Sequence, residues 1–493
     1  MTDSRTLWSA LLEQLDTRHG IATAMGGPDK IARQHSRNRL TARERIDQLL
    51  DTGSFCEYGA LAGGNHPGGE PPVPADALVG GTGYIDGRPV VVVAEDFTVK
   101  GGSIGHPNAA KRARLVRLAL EQQLPLVLML DGAGERASNQ GERYPHAPGD
   151  LQLVADLKGQ VPVVSLVLGS SAGHGALTGM FADLIIMSEG ATLFSAGPPL
   201  VAAALGREVT PQELGSAGMH TRQSGVAHNL CASEAEALDL ARRFLGYLPA
   251  RAGAPLPLDQ AAPTKQTREL DELLDIIPPV PQQAYNMRRV LETLVDAGSL
   301  LELQPDYGRN LITALARIGG TPCLLLANQP AVQAGAITAE AAEKAGHFLS
   351  VAAAFNLPLV SLVDNPGVMP GPASEQSGVL RAAGHMFLAQ RRHRGRKVVV
   401  TLRKAFGFGS SVMGMNPFDH QTVSLALPCV SLGGVPAIGG AAASGADASE
   451  AEKMAALQAG AWVPADAMAF DRVIDPRQLR NEILRALQLK TGS

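Results

Sequence analysis
Short apolar runs recur along this chain, each closed by small or turn-forming residues, with amphipathic stretches between them. Residues 90–94, 126–130, 161–168 and 184–187 are nearly free of polar alternation, which predicts strands buried on both faces. A helical pattern over residues 109–123 separates the first two runs. A small-residue helix start follows the third, at Gly169-Ser170-Ser171-Ala172-Gly173-His174-Gly175. The order then returns: a strand at 324–326, a helix at 339–355, strands at 359–363 and 398–402, and Phe406-Gly407-Phe408-Gly409-Ser410-Ser411. Strands alternating with helices imply right-handed βαβ units in a mostly parallel sheet. Ahead of them residues 1–55 read as helical, and Thr41-Ala42-Arg43-Glu44 has the form of a capping box.

The recurrence is a repeat in sequence as well as in pattern. A shift of 233 positions carries Ile85 to Ile318 and, without a gap, Gly102 to Gly335, Lys111 to Lys344, Asp131 to Asp364 and Gly134 to Gly367. Solenoid units are only about 20–50 residues long, so this period marks a duplicated domain. The expected organisation is a first domain over 1–250, a linker over 251–285 rich in Pro, Ala and charge, and a second domain over 286–493. Two equivalent domains suggest an active site between them, or two related sites that each handle half of one reaction.

With 493 residues, 45% of them hydrophobic and 18% charged, the chain is long enough for two sizeable cores. A net charge of −4 and the lack of a basic stripe with interleaved aromatics argue against a nucleic-acid partner. Cys56, Cys231, Cys323 and Cys429 form no CxxC pair, so neither a disulfide framework nor a metal site is expected. No apolar run reaches the roughly 20 residues of a membrane span, and the N-terminus lacks the layout of a signal peptide. The expected compartment is the cytoplasm, with no membrane partner.

Acid–base side chains are scarce at the strand ends, where loops of Gly, Ala and Ser stand instead. Backbone N–H groups that open a helix hold a developing oxyanion, and small residues let a carbonyl reach them. Gly173 and His174 in the first half, and Phe408 and Gly409 in the second, are the candidate oxyanion donors. The Gly101-Gly102 and Ala334-Gly335 loops are further amide sources. The same small residues also suit helix–sheet packing. No P-loop is present, and Gly101-Gly102-Ser103-Ile104-Gly105 breaks the GxGxxG pattern. His174 reads either as a donor near a substrate carbonyl or as a large residue filling space. Asp131 and Asp364, at the ends of equivalent strands, read as caps of the turns that follow them.

Arg39-Leu40-Thr41-Ala42-Arg43-Glu44-Arg45-Ile46, Asp96-Phe97-Thr98-Val99 with Gly101-Gly102-Ser103, Asp131-Gly132-Ala133-Gly134 and Ala172-Gly173 resemble motifs of one family. It is that of the carboxyltransferase (beta) subunits of biotin-dependent acyl-CoA carboxylases, of the propionyl-CoA and methylcrotonoyl-CoA type. Asn328-Gln329-Pro330, Val363-Asp364 with Pro366-Gly367, Arg403-Lys404-Ala405-Phe406-Gly407 and Val473-Ile474-Asp475-Pro476-Arg477 are similar to its C-half. The likeness runs in order along almost the whole chain.

The resemblance implies an α/β fold of two tandem crotonase-like (ClpP/crotonase) domains built from ββα units. It implies an acyl-CoA held mainly by the N-half of one subunit and carboxybiotin by the C-half of another. The binding positions then fall on Gly101, Gly102, Ala133, Gly134, Ala172, Ala334, Gly335, Pro366, Gly367, Phe406, Gly407 and Ser411. One oxyanion turn would hold the thioester enolate and the other the biotin ureido oxygen, with decarboxylated biotin taking the substrate α-proton. It further implies a dimer-based hexamer that works with a biotin carboxylase and a biotin carboxyl carrier. Biotin would arrive on that partner, because Glu452-Lys453-Met454 lacks the context of a biotinylated lysine.

This chain departs from the family pattern at His174, where Gly is usual, around Phe408-Gly409, at Ser411 in the acyl-selecting position, and over residues 435–465. Three functions fit: carboxyl transfer from carboxybiotin to an acyl-CoA, decarboxylation of a malonyl-type CoA ester, or a non-catalytic paralogue within a carboxylase complex.

Overall fold
The computed structural model describes residues 3–64, 71–136, 149–259, 267–416, 419–445 and 447–489. Part of the expected linker, residues 260–266, lies outside the described residues. The chain divides into two compact units, Met1–Leu245 with Ala250–Ala252, and Gly246–Pro249 with Gly253–Ser493.

The first unit holds β1 (Cys56–Glu57), β2 (Leu78–Ile85), β3 (Arg88–Glu95), β4 (Leu126–Leu130), β5 (Val163–Val167), β6 (Ser170–Ala172), β7 (Leu184–Ser188), β8 (Thr192–Phe194) and β9 (Asn229–Cys231). Its main sheet runs β1-β2-β3-β4-β5-β7-β9, antiparallel through β3 and parallel beyond, while β6 pairs with β8. The second unit holds β10 (Leu301–Leu303), β11 (Leu311–Ile318), β12 (Thr321–Asn328), β13 (Leu359–Asn365), β14 (Lys397–Phe406), β15 (Val423–Ala426), β16 (Ser431–Gly433) and β17 (Arg472–Val473). They run β10-β11-β12-β13-β14-β15-β17, with β16 beside β14. The repeat is thus structural. β2, β3 and β4 return as β11, β12 and β13, each starting 233 positions on, as Leu126 and Leu359 show. At the next strand the shift becomes 234: Val163 pairs with Leu126 as Lys397 pairs with Leu359.

The periodicity misses β2 and β11, and a glycine-rich strand explains the first. Gly80, Gly81 and Gly83 break the apolar run, yet a Cβ on Gly81 would stand 1.9 Å from the Cys56 carbonyl oxygen. The close pairing of β1 on β2 therefore demands glycine. The β2–β3 hairpin turns at Asp86-Gly87, which take φ 50° and 73°, both positive as a two-residue type I′ turn requires.

Each sheet packs its apolar face under a helix. In the first unit Val91, Val93, Leu126, Leu128, Val163 and Val167 meet Leu115 and Ala119 of the helix His106–Gln122. In the second, Leu325, Ala327, Val360, Leu362, Val398 and Val400 share a core with Leu270, Leu273, Ile276 and Ile277. The capping box forms: the Thr41 hydroxyl accepts from the Glu44 amide at 3.3 Å and the Glu44 carboxylate from the Thr41 amide at 2.7 Å. No helix among the described residues is long and apolar enough to cross a membrane.

Lys111 and Lys344 occupy equivalent helix positions and bury their ammonium groups on carbonyls. The Lys344 Nζ donates to Tyr307 O at 2.6 Å and Gln304 O at 3.3 Å. Burial pushes Lys344 from 10.5 down to about 7. Between these values the unfolded chain binds a proton that the folded chain does not, so folding stability rises with pH across that window. Lys344→Met is expected to flatten the rise in urea-unfolding free energy between pH 7 and 10; an unchanged slope would contradict this account.

Candidate active site
At the C-terminal ends of β3, β4 and β5 the first unit gathers its candidate residues into one patch. Lys100, Gly101 and Gly102 take φ 48°, 65° and 66°, a left-handed turn that only glycine adopts at little cost. A Cβ on Gly102 would meet Asp131 O at 2.4 Å, so this turn lies directly on the end of β4. The Ala133 amide donates to Gly101 O at 3.0 Å and the Ala172 amide to Gly132 O at 3.1 Å. Gly173 takes φ 61° and opens the helix Gly173–Gly179. The amides of Gly173 and His174 have no hydrogen-bond partner among the described residues, whereas those of Ala133 and Ala172 are already engaged.

The second unit repeats this geometry. Gln333, Ala334 and Gly335 take φ 46°, 55° and 79°, and a Cβ on Gly335 would stand 2.6 Å from Asp364 O. Ala334 holds a left-handed conformation without being glycine, a strain of about 1–3 kcal/mol of the kind found at functional sites. Gly407, at φ 55°, opens the helix Gly407–Val412 just as Gly173 opens its own. His174 therefore corresponds to Phe408 and Gly175 to Gly409. The Gly407 and Phe408 amides also have no partner among the described residues. Gly367 faces Phe406 O across the turn, as Gly134 faces Ala172 O.

Beside the second turn lies a cavity of about 660 Å³ lined by Ala334, Pro366, Phe406 and Lys404, with Pro279, Pro281, Gln458 and Cys429 among its other walls. Residues 435–465, where the sequence departs from the family pattern, supply Pro436, Ala437 and Ala455 to it. Ser411 is not part of this lining; its hydroxyl donates to Asn416 Oδ1 at 2.9 Å. Lys404, whose side chain is 13% exposed, sits 3.1 Å from Asp364.

Two sequence expectations need correction. Asp131 and Asp364 do not cap their own turns but anchor buried ion pairs. Asp131 receives Arg45 at 3.0 Å, and Arg45 also meets Glu234 at 2.8 Å. Asp364 receives Arg403 at 2.8 Å as well as Lys404. Each carboxylate also accepts an amide from the neighbouring strand's exit, Ser170 N and Lys404 N, each at 3.2 Å. Strand-to-strand clamping is thus their role. His174 is not a mere space-filler either. Its Nε2 lies 2.5 Å from Asp150 Oδ1, and its side chain remains 31% exposed. Burial works to raise the Asp150 carboxyl, but the His174 bond and the Arg112 charge outweigh it and hold the group below its usual range.

Sequence reasoning missed Asp150, Lys404 and the Glu95–Arg112 pair as neighbours of the site. Asp150 carries no motif and precedes His174 by 24 positions; only the fold brings them together. Among the described residues no cluster of His, Cys, Asp and Glu could hold a metal ion.

A family model described as the carboxyl transferase domain matches residues 33–492. The methylmalonyl-CoA carboxyltransferase 12S subunit of Propionibacterium freudenreichii subsp. shermanii is 33% identical over 500 residues, covering 97% of this chain and 94% of that protein. The biotin-dependent acetyl-/propionyl-coenzyme A carboxylase beta5 subunit of Mycobacterium tuberculosis (strain CDC 1551 / Oshkosh) is 34% identical over 504 residues, covering 97% and 92%. Among solved structures, that of the transcarboxylase 12S hexamer with methylmalonyl-coenzyme A and methylmalonic acid bound matches with a TM-score of 0.90 at 31% identity, covering 98% of each chain. The two units are accordingly tandem crotonase-like domains, as the sequence motifs implied. A likeness that spans the chain from end to end, over a fold repeated in the same way, makes this protein a member of the carboxyl transferase family, a carboxyltransferase subunit of the biotin-dependent acyl-CoA carboxylases that moves a carboxyl group to an acyl-CoA.

Proposed function
We propose that the first unit binds the acyl-CoA and holds its thioester enolate on the amides of Gly173 and His174, while the second unit binds the biotin ring on the turn Gly407-Phe408-Gly409. The observation that carries this reading is one backbone arrangement formed twice. In each unit a positive-φ glycine ends a strand, the helix-opening amides behind it are unbonded, and a left-handed turn packs against the neighbouring strand end.

An enolate places its charge on the thioester oxygen, and preorganised N–H donors aimed there are each worth about 10²–10³ in rate. Glycine at 173 and 407 keeps the approach to those amides open. The cavity beside the second turn suits a small bicyclic ring: Pro279, Pro281, Pro366 and Phe406 give apolar walls, and Lys404 gives a cation. Carboxylated biotin, when bound, supplies the carboxyl group. Biotin comes on a partner chain that carries it, together with a biotin carboxylase, and the subunits assemble as a dimer-based hexamer in the cytoplasm.

The test is carboxylation of acetyl-, propionyl- and methylcrotonoyl-CoA with labelled bicarbonate, ATP and the biotinylated partner isolated with this chain. Label entering a CoA ester only with the partner present is expected. No turnover there, nor in decarboxylation of malonyl- and methylmalonyl-CoA, would overturn the reading.

A further inference from the structure
His174 stands at the opening of the first oxyanion turn with a partner that the family pattern does not predict. Its Nε2 faces Asp150 Oδ1 at 2.5 Å. Asp150 is buried, and Arg112 NH1 stands 4.0 Å from its other oxygen. Arg112 is fixed in turn: its guanidinium donates to Glu95 at 2.5 Å and to Asn108 Oδ1 at 2.8 Å. A chain of buried charges thus runs from the end of β3 to one half-exposed imidazole.

The chemistry of that chain dictates the tautomer. An ionised carboxylate only accepts hydrogen bonds, and Asp150 is held ionised by His174 and Arg112 against its burial. Nε2 must therefore carry the hydrogen, which leaves a bare lone pair on Nδ1 of the neutral ring. Among the described residues Nδ1 has no partner. Nδ1 is also the ring nitrogen bonded to Cγ, and the amide of the same residue is one of those offered to the thioester oxygen. The α-carbon of a bound acyl group is two bonds from that oxygen. A carboxylate that orients an imidazole and stabilises its protonated form is the arrangement that makes histidine a general base.

We infer that His174, oriented by Asp150, takes the α-proton of the acyl-CoA bound at the first turn, so that this unit forms the enolate without biotin. The inference rests on the first unit being the acyl-CoA site. In the step the Cα–H bond breaks, its electron pair moves into the enolate with the charge on the thioester oxygen, and the proton forms an N–H bond at Nδ1. The Asp150 carboxylate balances the imidazolium. Because the ring is 31% exposed, that proton exchanges with solvent. Asp150 is a positioning residue: asparagine there can donate its amide hydrogen to Nε2, which moves the ring hydrogen to Nδ1 and removes the base.

The experiment is exchange of acyl hydrogens for deuterium, read by mass spectrometry, when acetyl-, propionyl- and methylcrotonoyl-CoA are each incubated in D2O with the full chain and no biotin carrier. Deuterium is expected at the α-carbon (or its vinylogous position) of at least one ester. His174→Gly is expected to lower the exchange rate about 10²–10⁴-fold, the usual contribution of a general base, and added imidazole to restore part of it. Asp150→Asn, compared at a temperature where its melting curve shows the variant folded, is expected to lower exchange. A purely structural histidine would not be rescued by imidazole. Exchange that persists in His174→Gly, or a wild-type chain that carboxylates with its partner yet exchanges nothing alone, overturns the inference and leaves the carboxyltransferase reading intact. Loss of both reactions in the wild-type chain overturns the two together.

Discussion

Replacing Phe408 with proline is expected to lower the carboxylation rate on the order of 10²–10³-fold while leaving the fold intact. Proline is tolerated in the first turn of a helix, where the lost N–H has no intrahelical partner. Phe408 is the second residue of the helix Gly407–Val412. The residue before it is Gly407 at φ 55°, and glycine there spares the clash of a Cβ with the proline ring. Half of Phe408 is exposed, at 50%, so truncation removes little packing. Phe408→Ala deletes the ring and keeps the amide, so the ratio of the two variants isolates one N–H. Gly409→Pro is a poorer probe, because any Cβ there lies 2.6 Å from both Asn365 Oδ1 and the Gly367 carbonyl carbon. The readout is steady-state carboxylation with the carrier present. Equal kcat for Phe408→Pro and Phe408→Ala would remove the second turn from the chemistry.

Why the sequence revealed so much of the fold, and less of the site, follows from the range of each interaction. The parallel strands are continuous apolar runs because both faces of the sheet are covered, and a duplicated chain states the same run twice. β4 and β13 could therefore be placed to within two residues. β2 carried a weaker local signal, since Gly81 serves the neighbouring β1 while Gly80 and Gly83 make room for Leu115 and Leu50. The amide turns were legible as Gly-Ala-Ser loops, but their register was not. Only the left-handed glycines show that Gly407 matches Gly173, one position away from the pairing that the 233-residue shift would give. The charged groups were least legible. Asp131 looks like a turn cap in its own neighbourhood, and its partner Arg45 is 86 positions away. Asp150 and His174 join for the same reason, through the packing of the two short helices that carry them.

Arg45→Met is expected to destabilise the first unit by about 3–5 kcal/mol, as loss of one member of a buried ion network does. Arg45 is 1% exposed and lies between two carboxylates, 3.0 Å from Asp131 and 2.8 Å from Glu234. Methionine matches much of its apolar volume, so the loss measures charge rather than a cavity. With the cation gone, Asp131 keeps, among the described residues, the side-chain amide of Gln34 at 3.1 Å and the backbone amide of Ser170 at 3.2 Å. Glu234 keeps, among the described residues, the amide of Leu40 at 3.3 Å. Two buried negative charges then have no counter-ion among the described residues. Adding Asp131→Asn and Glu234→Gln to Arg45→Met should recover part of the loss at neutral pH, since uncharged amides need no cation. Activity should fall with stability, because Asp131 fixes the strand end on which Gly102 packs and from which the Gly132–Ala172 hydrogen bond reaches the turn that opens at Gly173. A loss below about 1 kcal/mol, the ordinary value of an exposed pair, would show that solvent reaches this network and that it does not hold the turn in place.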